Sequence, residues 1–193
     1  MDISTDVVKA LRDRTGVSVM QCKKALEEAE GDVAKAEVIL KKRAGASADK
    51  KADREFGAGA VASYVHDGTI GSLVLLACET DFVGKNPEFM ALAKDIAMQV
   101  AATGPKYASM ADISEEAMSA AKAVLEKEVE GKPEDMKAKI MEGKISAYFK
   151  DQVLMEQPFL KDESKTVGDL VNEGVQKFGE RIAVTQFSRF SAR

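Results

Sequence analysis

A chain of 193 residues that is 45% hydrophobic and 31% charged, with a net charge of -4, has too many apolar residues and too little net charge to stay disordered. It is long enough for one sizeable core and a small satellite domain. An isoelectric point near 5.3 speaks against the basic face that phosphate contacts demand, so direct nucleic-acid binding is not expected.

The first eight residues, MDISTDVV, are acidic and polar and are not expected to act as a signal or transit peptide. Residues 1–43 read as three short helices. Ser4 can cap the first, whose apolar side is Val7, Val8 and Leu11, and Thr15-Gly16 breaks it. Ser18-Val19-Met20-Gln21 has the form of a capping box, in which the Ser18 hydroxyl and the Gln21 amide each satisfy the other's free backbone N–H. The second helix then buries Cys22, Ala25, Leu26 and Ala29 at helical spacing and stops at Gly31. Asp32 caps a third, with Ala36, Ile39 and Leu40 inside. So small a helical domain is marginal and is usually stabilised by a partner or a neighbouring domain. Its apolar loop, Val17, Val19 and Met20, is either a partner-binding surface or the domain's own core.

Residues 44–56 are small and charged without an apolar stripe, and read as a linker, helical at most toward its end. The first 56 residues carry 12 basic against 11 acidic side chains, the remainder 16 against 21. The slight basic excess, gathered at Lys41, Lys42, Arg43, Lys50, Lys51 and Arg54, is that of a solvated linker, which can also steer an acidic protein partner.

At Gly57 the period changes, and 57–193 reads as an α+β core domain. Two β-rich segments, 60–66 and 70–79, are joined by Asp67-Gly68-Thr69, a hairpin signal because Asp-Gly tolerates positive φ. The second segment (Leu73, Val74, Leu75, Leu76, Ala77) is apolar without alternation, which predicts a strand covered on both faces. Thr80-Asp81-Phe82-Val83 follows it. A large aromatic beside a carboxylate at a strand exit is either tucked into the core or presented outward. Pro87 opens a helix bearing Phe89, Leu92, Ala93, Ile96, Ala97 and Val100, ending at Gly104-Pro105.

Residues 114–151 read as two helices folded back at Gly131-Lys132-Pro133, with Ala117, Ala121, Val124 and Leu125 inside on the first and Met136, Ile140, Tyr148 and Phe149 inside on the second. Thr166 caps a further helix (Leu170, Val171, Val175, Phe178) that ends at Gly179, and 181–190 closes the chain as a third strand. The predicted fold class is α+β: an all-helical N-terminal module, then a small antiparallel sheet covered by helices and carrying a helical hairpin.

Side chains for covalent chemistry are sparse. His66 is the single histidine and stands at the hairpin turn without a nucleophile in any recognisable context. Gly57-Ala-Gly59-Ala-Val-Ala62 resembles a dinucleotide fingerprint but precedes a strand, where the fingerprint must follow one and open a helix. The phosphate-binding G-x-x-x-x-G-K-S/T pattern does not occur. Cys22 and Cys78 are far apart with no neighbouring His, neither a disulfide framework nor a zinc site. No apolar stretch approaches the ~20 residues a membrane span needs. The expectation is a cytoplasmic protein that is not an enzyme, uses no cofactor or metal of its own, and does not engage a membrane.

Several strings together resemble one family. Val8-Lys9-Ala10-Leu11-Arg12-Asp13-Arg14-Thr15-Gly16, then Met20, Cys22-Lys23-Lys24-Ala25-Leu26 and Gly31-Asp32, resemble the ubiquitin-associated-like N-terminal domain of elongation factor Ts. Cys78-Glu79-Thr80-Asp81-Phe82-Val83 resembles that family's central signature. Ile96-Ala97-Met98-Gln99-Val100-Ala101 and Gln157-Pro158-Phe159 before Ser164-Lys165-Thr166-Val167 are similar to further family segments, so the likeness runs through essentially the whole chain in order.

The resemblance implies a guanine-nucleotide exchange factor for the GTPase elongation factor Tu in translation elongation. Thr80, Asp81, Phe82 and Val83 would dislocate the Mg²⁺ of that partner, with Asp81-Phe82 inserted beside its nucleotide. Leu11, Val19 and Met20 would lie on the docking side of the N-terminal module. Three departures qualify the likeness. The loop Val17-Ser18-Val19-Met20-Gln21 stands where the family more often has Gly-Met-Met-Asp. Longer relatives carry a duplicated core, whereas one hairpin-plus-helix unit is present here, which suggests a short form that pairs two copies as a homodimer. The chain also stops soon after Phe190, so the separate C-terminal module of longer relatives is not expected. The rival reading is an adaptor or chaperone-like binding protein that uses the same N-terminal module without exchanging nucleotide; such a protein has no need of the Thr80–Val83 string.

Overall fold

The computed structural model describes residues 3–129 and 134–192. Its N-terminal helices begin and end at their caps. Helix α1 (Thr5–Thr15) starts at Ser4, whose hydroxyl accepts the Val7 N–H, and stops at Gly16 in the left-handed conformation, φ 68°. Helix α2 (Val19–Glu28) starts at Ser18, which accepts the Gln21 N–H. The other half of the expected capping box is replaced: the Gln21 side-chain oxygen accepts from the Gln176 amide at 2.9 Å, a contact that reaches across the molecule.

Helix α3 (Val33–Asp49), capped by Asp32, runs through much of the segment read as a linker. The reason is composition and burial: Ala44 is enclosed, Ala48 packs against the main core, and alanine is the strongest helix former. The helical part therefore lies at the start of 44–56, not at its end. Val8, Leu11, Val17, Cys22, Ala25, Leu26, Ala36 and Leu40 form this module's small core.

Strands β1 (Ala58–His66) and β2 (Ile70–Cys78) pair antiparallel through a turn in which Asp67 and Gly68 both take positive φ, 47° and 65°. The sheet order is β1-β2-β5, with β5 (Ala183–Ser191) antiparallel to β2 and a register shift at Leu75/Leu76. Helix α5 (Pro87–Thr103) packs on β1 and β2, capped by Asn86 with Pro87 in its first turn. Helix α8 (Val167–Phe178) adds Val167, Val171 and Val175 to the same core as Val74, Leu76, Phe89, Ile96 and Val100. The Ser72 hydroxyl donates to the Ala97 carbonyl at 2.6 Å and the Arg189 Nε to the Ala101 carbonyl at 2.9 Å, tying the sheet to α5.

The other face of the sheet is open, against the expectation for β2. Ser72, Val74 and Leu76 point inward, but Leu73 is exposed, and Val61, Val65 and Phe190 on its two neighbours are exposed as well. Helices cover one side of the sheet only.

Helices α6 (Glu115–Val129) and α7 (Glu134–Phe149) pack together around Ala121, Leu125, Ile145, Phe149 and Val153. Val124, Met136 and Tyr148, expected inside, are exposed, because the pair buries a narrow seam and leaves its flanks to solvent. The Gly131-Lys132-Pro133 joint lies outside the described residues. A small hairpin, β3 (Pro158–Phe159) with β4 (Asp162–Thr166), leads into α8. The fold class is α+β, as expected.

Candidate functional site

Strand β2 ends at Cys78, and the chain crosses Glu79-Thr80 into a one-turn helix, α4 (Asp81–Gly84). Thr80 caps it, its hydroxyl accepting the Val83 N–H at 3.4 Å. A single turn so capped sorts its residues by direction. Val83 is 3% exposed and packs in the main core. Gly84 lies against β1, where a Cβ would stand 3.1 Å from the Gly59 carbonyl oxygen and 3.5 Å from the Cys78 sulfur, so the absent side chain lets the turn sit down on the strand.

Asp81 and Phe82 face the other way. Phe82 is 82% exposed, the highest value among the exposed large apolar side chains described. The two alternatives left open for this ring resolve to the outward one. An aromatic ring held in water on a capped turn forgoes about 2 kcal/mol of burial. The Asp81 carboxylate accepts from the Lys85 ammonium at 2.7 Å, a bond that together with the charge of Lys85 holds its pKa below the ordinary aspartate value. Immediately after, Asn86 accepts the Glu88 N–H at 2.9 Å and starts α5, so the exposed pair is bracketed by two helix caps.

Beneath the turn lie residues that sequence reasoning missed. Glu79 and Thr80 exchange hydrogen bonds with Glu180 and Arg181, about a hundred positions away, at the exit of α8. Cys78 is buried, and its thiol donates to the Thr80 carbonyl at 3.2 Å. Burial, with Glu180 and Glu79 nearby, raises the thiol's pKa, and so this cysteine serves packing rather than chemistry.

The apolar loop of the N-terminal module divides. Val17 is buried, whereas Val19 and Met20, on the first turn of α2, are 53% and 68% exposed. Leu11 is 0% exposed. It lies on the apolar stripe of α1 inside the module's core and not on its surface, unlike Val19 and Met20. The module is fixed to the rest of the chain by α3 packing on α8, by Lys41 to Asp169 at 2.8 Å, and by the Gln176–Gln21 bond.

Elsewhere, His66 is exposed at its turn with the Tyr64 hydroxyl 3.2 Å from Nδ1, and the Gly57–Ala62 string leads into and forms part of β1. Among the described residues no group of His, Cys, Asp or Glu is placed to hold a metal, and no helix is long and apolar enough to cross a membrane. What the molecule presents is an exposed aromatic ring beside a carboxylate on a capped turn, and a separate apolar patch on the helical module. Both are suited to contact with another protein.

Comparison with known proteins gives the same direction along almost the full chain. A family model described as Elongation factor TS matches residues 18–193. The elongation factor Ts of Thermodesulfovibrio yellowstonii is 46% identical over 191 residues, spanning 98% of this chain and 96% of its own. That of Thermosipho melanesiensis is 47% identical over 192 residues, 98% of both chains. That of Alkaliphilus oremlandii is 44% identical over 192 residues, 98% of this chain and 89% of its own.

Proposed function

The chain belongs to the elongation factor Ts family, translation elongation factors, and from that membership we propose that it is the guanine-nucleotide exchange factor of elongation factor Tu. The single observation that carries the proposal is the outward ring of Phe82 on its capped turn. Asp81 and Phe82 enter the GTPase domain of the partner beside its nucleotide, and the ring displaces the elements that hold Mg²⁺. That ion bridges the nucleotide phosphates, so its loss weakens GDP sharply. Thermodynamic reciprocity completes the cycle: the ratio by which the factor weakens GDP is the ratio by which GDP weakens the factor. The factor therefore favours a nucleotide-free partner and is released when GTP binds. Val19 and Met20 dock a second surface of the same GTPase domain. No acid, base or nucleophile is required of this chain, because no covalent bond changes.

The test is stopped-flow release of fluorescent GDP from elongation factor Tu. Phe82→Ala slows release at saturating factor while leaving complex formation largely intact, and Asp81→Ala gives a smaller loss. Release by Phe82→Ala at the unaltered rate rejects the wedge.

The exposed sheet face supports a further part of this reading, a homodimer. Val61, Val65, Leu73 and Phe190 form an apolar surface of a kind that soluble monomers seldom leave to water, and a second copy of the same face is its natural cover. Light scattering at micromolar concentration then gives twice the mass of one chain; a strict monomer there removes the dimer.

A further inference from the structure

The path of the chain into the exposed turn is set by two carboxylates, Glu180 holding the backbone of Glu79 and Thr80, and Glu79 holding that of Arg181. One Glu180 oxygen accepts both the Glu79 N–H and the Thr80 N–H at 3.0 Å, and its other oxygen accepts the Thr80 hydroxyl at 2.5 Å. In return Glu79 accepts the Arg181 N–H at 2.5 Å and the Arg54 guanidinium at 3.1 and 3.3 Å. The Arg181 guanidinium donates to the Arg54 carbonyl and lies 4.2 Å from the Phe56 ring centre. The contacts fall where the β1–β2 ladder has run out, at the Ala58–Cys78 pair, so they replace strand partners that the 79–80 backbone no longer has.

Thr80 carries the restraint onward. Its hydroxyl gives its one proton to Glu180 and accepts the Val83 N–H, so the carboxylate is linked through one oxygen atom to the cap of α4. Glu180 itself is placed by Gly179, which ends α8 at φ 76° and turns the chain toward β5. A projection that must displace packed elements in another protein loses force if its own base yields, and ordering it at the moment of insertion would subtract from the binding energy available.

We propose that Glu180 is a positioning residue for nucleotide exchange, fixing the 79–80 backbone so that Phe82 leaves the sheet along one direction. The proposal rests on the reading of Phe82 as the wedge. Glu180→Gln tests it with nearly unchanged shape, because the neutral amide accepts less strongly and offers one oxygen where the carboxylate uses two, for the paired N–H groups and the Thr80 hydroxyl. Three measurements are made on the full-length chain. Amide hydrogen exchange at Glu79 and Thr80 becomes faster in Glu180→Gln. The saturating rate of GDP release falls about tenfold, the ratio expected for one lost charge-assisted hydrogen bond, with the half-saturating concentration little changed. In a Phe82→Ala background the same substitution costs almost nothing more, since the residue through which it acts is gone.

A saturating rate unchanged in Glu180→Gln, with Phe82→Ala slow, overturns the assignment and spares the wedge. An equal loss in both backgrounds also overturns it, because that is the mark of general destabilisation. Release at the unaltered rate in Phe82→Ala rejects the wedge and, with it, any role for Glu180 in exchange.

Discussion

Phe82 and Val83 are neighbours with opposite surroundings, one 82% exposed and the other 3%. Their substitutions separate function from stability. Phe82→Ala removes no core contact and changes the free energy of unfolding by less than about 0.5 kcal/mol. Val83→Ala removes two enclosed methyl groups and costs about 1–2 kcal/mol. Urea unfolding followed by circular dichroism measures both, and a Phe82→Ala chain as destabilised as Val83→Ala would mean that the ring is packed. Residue statistics alone could not choose between the two directions, because phenylalanine is commonly buried. The deciding signal was nevertheless local. A threonine cap three residues before an apolar side chain, followed by glycine, describes a one-turn helix whose inward position is 83, which leaves 82 outside. Glu180 had no such signal: a glutamate at a helix exit reads as solvated, and nothing in the spacing announces a contact with residues a hundred positions earlier.

Elements whose ends are written in their own side chains were legible. Ser4, Ser18, Asp32 and Thr166 cap the helices assigned to them, and Asp67-Gly68 makes the hairpin. Elements decided by distant contacts were not. The extension of α3 depends on the surface it meets, the β3–β4 hairpin is too short for a period, and the uncovered face of β2 depends on what stands opposite. Gln99 belongs to this second kind. In sequence it is one polar position on an apolar helix; in the fold it is 0% exposed and joins α5 to the β3 region. Its amide nitrogen donates to the Gln157 side chain at 3.2 Å and to the Pro158 carbonyl at 3.1 Å, and its oxygen accepts the Leu160 N–H at 2.9 Å. Gln99→Leu keeps similar bulk but takes the acceptor from the Leu160 N–H and a donor from the Pro158 carbonyl, while Gln157 keeps the Thr103 hydroxyl, at a cost of about 1–3 kcal/mol. Chemical denaturation reads this as a lower midpoint. A change below about 0.5 kcal/mol would show that the network contributes little beyond packing.

At the scale of the molecule, the Val19–Met20 patch and the Phe82 turn sit on different bodies, the helical module and the sheet domain, joined by α3 packing on α8 and by the Lys41–Asp169 pair. On the proposed function, this division assigns them different kinetic work. The module holds the partner, and holding makes insertion of the turn partly intramolecular, which raises its effective concentration. Met20→Asp places a charge in the docking patch at a side chain that is 68% exposed, so the fold is retained while the contact is lost. The half-saturating concentration for GDP release should rise by about tenfold, the equivalent of roughly 1.4 kcal/mol, with the saturating rate kept. Phe82→Ala has the reverse signature, a lower saturating rate at a similar half-saturating concentration. Because the two side chains serve separate steps, the double substitution multiplies the losses in release efficiency. An unchanged half-saturating concentration in Met20→Asp, with calorimetry giving unchanged affinity, removes the module from docking and leaves the turn to bind and to wedge alone.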